Sequence, residues 1–354
     1  GAEMWDFPGT NIRHGHNAAV YPNGSNTLSE RNDLMSIRKK DIKVGVVGYG
    51  GAFNMGRGHL MEMQAAGMTP VAVCEVDPDR RAVAAEDFPE IETYASLATM
   101  LKKSAVNLIT IITPHNTHAR LALACLKAGR HVVCEKPFAI RTTECQQMMR
   151  EARKRGLCLT TYHNRHWDGC ILEAVEQIVK KRVIGDVIRI HCRSGGFSMP
   201  GSWWRSSKKI SGGILYDWGV HYLEYCLQLI DEEMLEVTGY AHNGIWAPRT
   251  RWKEDTIEDD AQVVVRFKNQ KWMNLTFSNI DTNLQPQGIE VTGSKGTYWF
   301  DLGSYEIKLP GRNDSERLTR GKNPAGAWDR YYKNVADHLS RGTKLIITPE
   351  WASR

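Results

Sequence analysis

The sequence predicts an α/β protein in two parts, a doubly wound parallel sheet followed by an α+β unit whose sheet is mostly antiparallel. Three observations carry that expectation. Short apolar, β-branched runs alternate with helix-like stretches from Ile42 to Tyr162, the first run opens straight into a glycine-rich turn, and beyond Tyr162 apolar and polar positions begin to interleave. The boundaries that follow are an extension over 1–41, a first domain over 42–162 and a second over 163–354.

A chain of 354 residues is long enough for about two domains of ~150 residues. With 42% hydrophobic and 24% charged residues, it matches a globular composition and excludes a disordered, collagen-like or coiled-coil chain. The apolar run Leu121–Leu126 covers six residues, far short of the ~20 that span a bilayer, so no membrane partner is expected. The net charge of +6 is spread along the chain rather than clustered, which speaks against nucleic acid. Eight cysteines are present, and Cys74, Cys134, Cys158 and Cys192 fall in apolar, strand-like segments that suit a reducing compartment. The stretch Gly1–Glu30 has no apolar core of a secretory signal, and the protein is expected in the cytoplasm. His14 and His16 in the polar extension lack further ligands for a metal.

The strands expected in the first domain are Ile42–Val47, Val71–Val76, Val106–Thr113, His131–Cys134 and Leu157–Tyr162, with helices over His118–Ala128 and Thr142–Arg155. Apolar strands alternating with helices indicate a parallel sheet covered on both faces. In the second domain a helix over Ile171–Lys180 leads to strands at Val187–Ile190, Glu236–Tyr240, Gly288–Thr292 and Thr297–Asp301. Gln262–Phe267 and Trp272–Phe277 alternate around the turn Lys268-Asn269-Gln270 and read as an antiparallel hairpin. Trp272 and Phe277 would give this sheet apolar area for pairing with a second copy.

After the first strand comes Gly48-Tyr49-Gly50, then Gly56. A strand, a glycine turn and a helix form the Rossmann dinucleotide-binding context: Gly48 makes the turn, and Gly50 lets the backbone approach a pyrophosphate at the helix N-terminus. The spacing is GxGx5G, expanded by three residues over the usual GxGxxG. The second strand ends at Glu75 and Asp77, where a carboxylate can accept both adenosine ribose hydroxyls and repel a 2′-phosphate. NAD is therefore expected ahead of NADP, unless Arg80 or Arg81 folds back. The later strand ends carry Thr113-Pro114-His115-Asn116-Thr117-His118 and Glu135-Lys136-Pro137, at the edge where open α/β sheets hold ligands. Ser211–His221 places Asp217 and His221 four apart at the start of a helix over Gly219–Ile230, on one face.

In their order these residues resemble the glucose–fructose oxidoreductase / inositol dehydrogenase (Gfo/Idh/MocA) family, from about Ile42 to Arg354. Trp204-Arg205, Ile184–Val187 and Val291–Gly296 add to the resemblance. It implies a nicotinamide oxidoreductase acting on a secondary alcohol of a sugar, inositol or related polyol. Lys136 matches the catalytic lysine, while Asp217 and His221 match the paired acid/base and orienting residues. Thr113, Pro114, Asn116, His118 and Glu135 match cofactor-lining positions, Arg165 a residue near the nicotinamide, and Trp204-Arg205 a loop over the cofactor. The resemblance also implies a homo-oligomer, dimer or tetramer. The longer glycine loop departs from the pattern, as does the end at Thr348–Arg354, where relatives continue into a further helix.

The chemistry suits these side chains. Oxidising a CHOH group removes a hydroxyl proton while hydride leaves for nicotinamide. A neutral histidine such as His221 can take the proton, and a lysinium such as Lys136 can stabilise the alkoxide. Asp217 can orient either group or bind a neighbouring hydroxyl, and the sequence leaves base and electrophile open. The same residues could run a redox-assisted lyase or glycosidase with recycled NAD, and a non-catalytic dinucleotide sensor is the third reading. His163 and His166 have a suggestive spacing, but without further ligands they make no metal site. His163, following the sixth strand at the crevice, is expected as a substrate contact.

Overall fold

The structure, a computed structural model, describes residues 37–283, 287–313 and 315–354. His14, His16 and most of the expected extension lie outside these residues.

The first sheet contains β1 (Lys43–Val47), β2 (Thr69–Cys74), β3 (Glu92–Tyr94), β4 (Leu108–Ile111), β5 (His131–Cys134) and β6 (Leu159–Thr161). All its pairs are parallel, in the order β3-β2-β1-β4-β5-β6. Its connections run through α1 (Met55–Ala65), α2 (Pro78–Asp87), α3 (Leu97–Lys103), α4 (His118–Lys127) and α5 (Thr142–Arg155). Strand order reverses between β1 and β4, so their carboxyl ends flank a crevice, as the switch-point rule requires. β4 is buried along its whole length, because helices cover both faces, and such strands read as unbroken apolar runs. Local signals stop and start the helices. The Asp77 side chain caps α2 through Asp79 N at 2.9 Å, with Pro78 in the first turn, and Gly156 ends α5 in the left-handed region.

Two differences from the sequence expectation are instructive. β3 was not foreseen, being three largely exposed residues without an apolar run. The run Val106–Thr113 yields strand only over Leu108–Ile111, and Pro114, which lacks an N–H, lies in the turn that follows.

The second sheet is built from β7 (Val187–Gly195), β8 (Met234–His242), β9 (Asp260–Phe267), β10 (Trp272–Ser278), β11 (Gly288–Gly293), β12 (Gly296–Phe300), β13 (Ser304–Pro310) and β14 (Glu316–Lys322). Its order is β14-β13-β12-β11-β7-β10-β9-β8, antiparallel throughout except for the parallel pair β7–β10. The expected β9–β10 hairpin is present, with Trp272 opposite Arg266 and Phe277 opposite Ala261. α6 (Gly169–Ala174), continued by a π-type turn over Val175–Lys180, and α8 (Gly219–Leu229) cover one face. A short α7 (Lys208–Ser211) precedes α8. Trp272 and Phe277 are an odd number of positions apart and so point to opposite faces. Phe277 is buried against the Tyr222 ring at 5.3 Å, which corrects the expectation that it offers surface area. The exposed large apolar side chains described on this sheet are instead Leu235, Val237 and Tyr240 on β8, Ile188 on β7 and Leu318 on β14.

The chain then returns to the first sheet. α9 (Arg330–Arg341) buries Tyr331, Tyr332, Val335 and Ala336 in the same core as Leu60 and Met63 of α1. α10 (Pro349–Ala352) follows. Among the described residues no helix is long and apolar enough to cross a membrane.

Candidate active site

The glycine turn uses each of its three glycines differently. Gly48 has φ +103°, and a Cβ there would lie 2.6 Å from Ile112 O, so only glycine fits. A Cβ on Gly50 would meet nothing within 4 Å, which leaves this backbone open to an approaching ligand. Gly56, in the first turn of α1, would drive a Cβ to 2.7 Å from the Tyr49 ring. That division of labour, with α1 starting at Met55, fits a pyrophosphate at a helix N-terminus, so the residues suit a bound dinucleotide.

At the end of β2 the Glu75 carboxylate accepts Tyr49 N at 2.6 Å and Asp77 N at 3.0 Å, which fixes its charge beside the turn. Both following arginines fold back. Arg80 Nε donates to Tyr49 O at 2.9 Å, and Arg81 Nη1 donates to Glu75 O at 2.7 Å and Val76 O at 2.9 Å. Glu75 therefore does have guanidinium neighbours.

The turns after β4 and β5 are held from beneath. His118 is fully buried, with its ring nitrogens 2.8 Å from Pro137 O and 2.9 Å from Thr113 O. It ties the two strand ends together under the crevice instead of lining it. Thr113 Oγ1 lies 2.6 Å from Thr117 Oγ1, whose hydroxyl donates to Pro114 O at 2.7 Å, while Asn116 is exposed. Glu135 is likewise held, by His59 Nε2 at 3.1 Å and Lys136 N at 2.9 Å, and His59 Nδ1 lies 2.7 Å from the Tyr332 hydroxyl of α9. Burial pushes the Glu135 carboxyl up, but His59 and Lys136 outweigh it and hold it below the usual range.

Lys136 is brought to the second unit. Its Nζ donates to Asp217 Oδ1 at 2.6 Å and to Asp217 O at 3.2 Å. Arg205 Nε stands 3.5 Å from the same carboxylate oxygen. Burial raises the Asp217 carboxyl, yet Lys136 and Arg205 hold it below its ordinary value. His221, one turn further along α8, is buried, and its Nδ1 has no partner. Burial, with Lys136, His163 and Arg165 adding to it, pushes its pKa well below 6.5, so the ring is neutral at neutral pH and free to accept a proton. His163, after β6, is also buried with an unpartnered Nδ1. Arg165 is clamped by Asp168 at 2.9 Å and lies over the Trp218 ring at 4.6 Å. The Tyr225 hydroxyl and Trp328 Nε1 also donate to Asp168.

A cavity of about 330 Å³ opens beside Asp217, bounded by Trp203, Trp218 and Arg205 and edged with Ser198, Ser278 and Asn279. Its aromatic faces and neutral polar groups suit a hydroxyl-rich small molecule. Arg205 also stacks on Trp203, Trp204 and Phe53, at 4.8, 4.6 and 5.2 Å. Phe53 sits in the expanded glycine loop, so the extra residues reach across the cleft to the second unit.

The sequence-selected Lys136, Asp217, His221, His163, Arg165 and Arg205 thus come together, while His118 and Glu135 sit beneath as ties. Sequence reasoning passed over His59, Tyr332 and His115. His115 Nδ1 lies 2.7 Å from Ser211 O, its ring meets Trp204 edge-on at 4.7 Å, and burial lowers its pKa to about 3. Only His115 carried a signal, its place inside the Thr113–His118 turn. No group of three or more residues suited to a metal occurs among the described residues.

Comparison with known proteins agrees with this geometry. Residues 42–163 match the model of an oxidoreductase family with an NAD-binding Rossmann fold, and residues 172–299 match the GFO/IDH/MocA C-terminal domain. The chain is 29% identical over 198 residues to scyllo-inositol 2-dehydrogenase (NADP(+)) of Bacillus subtilis, covering 55% of this chain and 54% of that one. It therefore spans about half the length of that relative. It is 28% identical over 262 residues to myo-inositol 2-dehydrogenase of Thermotoga maritima, covering 73% and 75%. Among solved structures, an NAD-binding protein from Listeria innocua superposes with a TM-score of 0.73 at 28% identity, covering 89% of this chain and 91% of its own.

Proposed function

The chain belongs to the Gfo/Idh/MocA oxidoreductase family, and on that premise we propose that it moves a hydride between a nicotinamide cofactor and a secondary alcohol of a sugar, inositol or related polyol. The observation that carries this reading is the 2.6 Å contact of Lys136 Nζ with Asp217, beside a neutral, unpartnered His221. When bound, the cofactor would supply the hydride acceptor. Gly48, Gly50 and Gly56 give its pyrophosphate room. Thr113, Pro114 and Asn116 flank it, and Trp204 and Arg205 close over it. His221 takes the hydroxyl proton, and Lys136 stabilises the oxygen as negative charge grows there. Asp217 keeps the ammonium aimed, and His163 and Arg165 complete the substrate wall.

For the cofactor we read NAD, because Glu75 keeps a fixed negative charge where a 2′-phosphate would sit. A second reading, NADP, is favoured by the fold-back of Arg80 and Arg81. Titration of the protein's fluorescence with NADH and NADPH decides between them. Tighter NADH, with the preference reversed in Glu75→Ser, supports the first; tighter NADPH supports the second. We also read a homo-oligomer that pairs through the open face of the second sheet. The eight free, buried cysteines suit the cytoplasm. Mass spectrometry of the purified protein for carried-over nucleotide, followed by a polyol and glycoside panel, tests the whole reading. Net NADH production supports a dehydrogenase, whereas elimination with NAD retained supports a redox-assisted lyase.

A further inference from the structure

Oxidation of an alcohol releases one proton for each hydride, and that proton has to leave a site whose front the two reactants would occupy. Phe53, Trp203, Arg205 and Trp218 line the mouth of the cleft, and cofactor and substrate would fill what remains. Behind the reacting residues lies a separate cavity of about 260 Å³, lined by both His163 and Glu224. One water needs about 10–15 Å³ of such volume and polar partners, so the cavity has room for several beside His163, Glu224, Thr142 and Arg354. Its outer wall is Arg141 and Thr142 at the start of α5 together with Trp351–Arg354, where Arg141, Thr142 and Arg354 are exposed. The cavity thus runs from His163, beside Val220 of α8, to bulk water.

The groups along it are matched to carry a proton. His221 and His163 are both buried and both have an unpartnered Nδ1, and His163 adds to the lowering of His221. Glu224 lies one turn after His221 on α8 and is 3% exposed. It is paired with His166 and accepts Gln228 Nε2 at 3.1 and 3.0 Å. Lys136, Glu135 and Arg165 are the other charges felt by the two histidines. A carboxylate so deeply buried is costly to keep, and nothing in the hydride chemistry needs it, since Lys136 and Asp217 already serve the substrate oxygen.

We propose that this rear cavity is the proton exit of the active site, with His163 and Glu224 relaying the proton from His221 to water at the seam between α5 and α10. The inference rests on the hydride-transfer reading above. The substrate O–H bond breaks and an N–H bond forms on His221, while the C–H electron pair leaves with the hydride. The imidazolium then gives a proton to neutral His163, which passes it to cavity water beside the Glu224 carboxylate and so to bulk. Both histidines return to their neutral form, with one proton out for one hydride transferred.

The test is a single-turnover stopped-flow measurement in weak buffer with a pH-indicator dye. It uses NAD and whichever of myo-inositol, scyllo-inositol and levoglucosan the wild type oxidises fastest. In the wild type, proton release keeps pace with NADH formation. In Glu224→Gln, and in Ala352→Phe, which fills the cavity from α10, proton release trails NADH by on the order of tenfold, with NADH affinity unchanged. Glu224→Asp restores the pace, and so does added imidazole, which no purely structural role of Glu224 explains. Should Glu224→Gln fail to fold, Ala352→Phe decides alone. Synchronous release in the folded variants overturns the exit and leaves hydride transfer intact. Absence of any NADH burst in the wild type overturns hydride transfer itself, and the exit with it.

Discussion

The two walls of the cleft are made by different means. The wall contributed by β1 and β2 is backbone: a left-handed Gly48, an open Gly50 and a carboxylate fastened by two amides. The facing wall is side chain: Lys136 against Asp217, Arg205 against the same oxygen, and His221 and His163 with unpartnered nitrogens. A wall of glycine and amides can hold a large anion at little cost, and its one carboxylate is tied up by two amides rather than aimed at a reacting atom. A wall of buried, mutually perturbed groups can run acid–base chemistry, and is held in place by ties such as His118 and the His59–Glu135 pair. Damage to the first should therefore appear in cofactor affinity, and damage to the second in turnover.

The comparison breaks most visibly at His221. His221→Asn is expected to lower turnover by ~10²–10⁴ while NADH affinity stays within a fewfold. The acid limb of kcat/KM in the wild type should lie below pH 6.5, because burial lowers this histidine, and the limb should flatten in the variant. Next in size is Gly48→Ala. Strain at φ +103° and the approach to Ile112 O should cost ~1–3 kcal/mol. The loss is read as weaker NADH binding and lower Tm, with single-turnover chemistry at saturating cofactor nearly unchanged.

A smaller effect sharpens the contrast through stability. His115, His118, His131, His163 and His221 all have folded-state pKa values pushed below 6.5 by burial. Below about pH 6.5 the unfolded chain binds more protons than the folded one, so stability falls as pH drops. Glu135 and Asp217, held below their ordinary values, extend the loss as pH falls further. Melting curves should show Tm flat above neutral pH and declining on acidification. The pH of onset should be the same in Gly48→Ala, whose wall carries none of these histidines. The smallest expected effect is at the sheet face: light scattering should give a particle larger than 40.0 kDa, and Tyr240→Lys should shift it toward that mass.

Much of this was legible because the parallel strands are buried on both faces and their turns carry unusual residues. The apolar runs marked β1, β2, β4, β5 and β6, and Lys136 and Asp217 stood out at a strand end and a helix start. β14, exposed at all but one position, and the short β3 had no pattern to betray them. α9 holds a further lesson: nothing in the local sequence singles out Tyr331 and Tyr332, yet the chain returns them under the first sheet, where Tyr332 completes the tie to Glu135. Contacts between residues 273 positions apart leave no local trace. The fold-back of Arg80 and Arg81 was foreseen only as an alternative, since local sequence does not decide between an exposed arginine and one drawn to free carbonyls.

The central claim is that Lys136 acts on the reacting oxygen and not in holding the cofactor or the fold. Turnover of Lys136→Met on an identified polyol, set beside NADH affinity and Tm of the same protein, tests it most directly. Removing one charge-assisted contact that strengthens in the transition state should lower kcat by ~10²–10³, with affinity and Tm nearly unchanged because the aliphatic stem is kept. Combined with His221→Asn, the loss should fall well short of the product of the two, since both residues serve one O–H group. Near wild-type turnover by Lys136→Met would contradict the account and leave Lys136 as a surface lysine paired with Asp217.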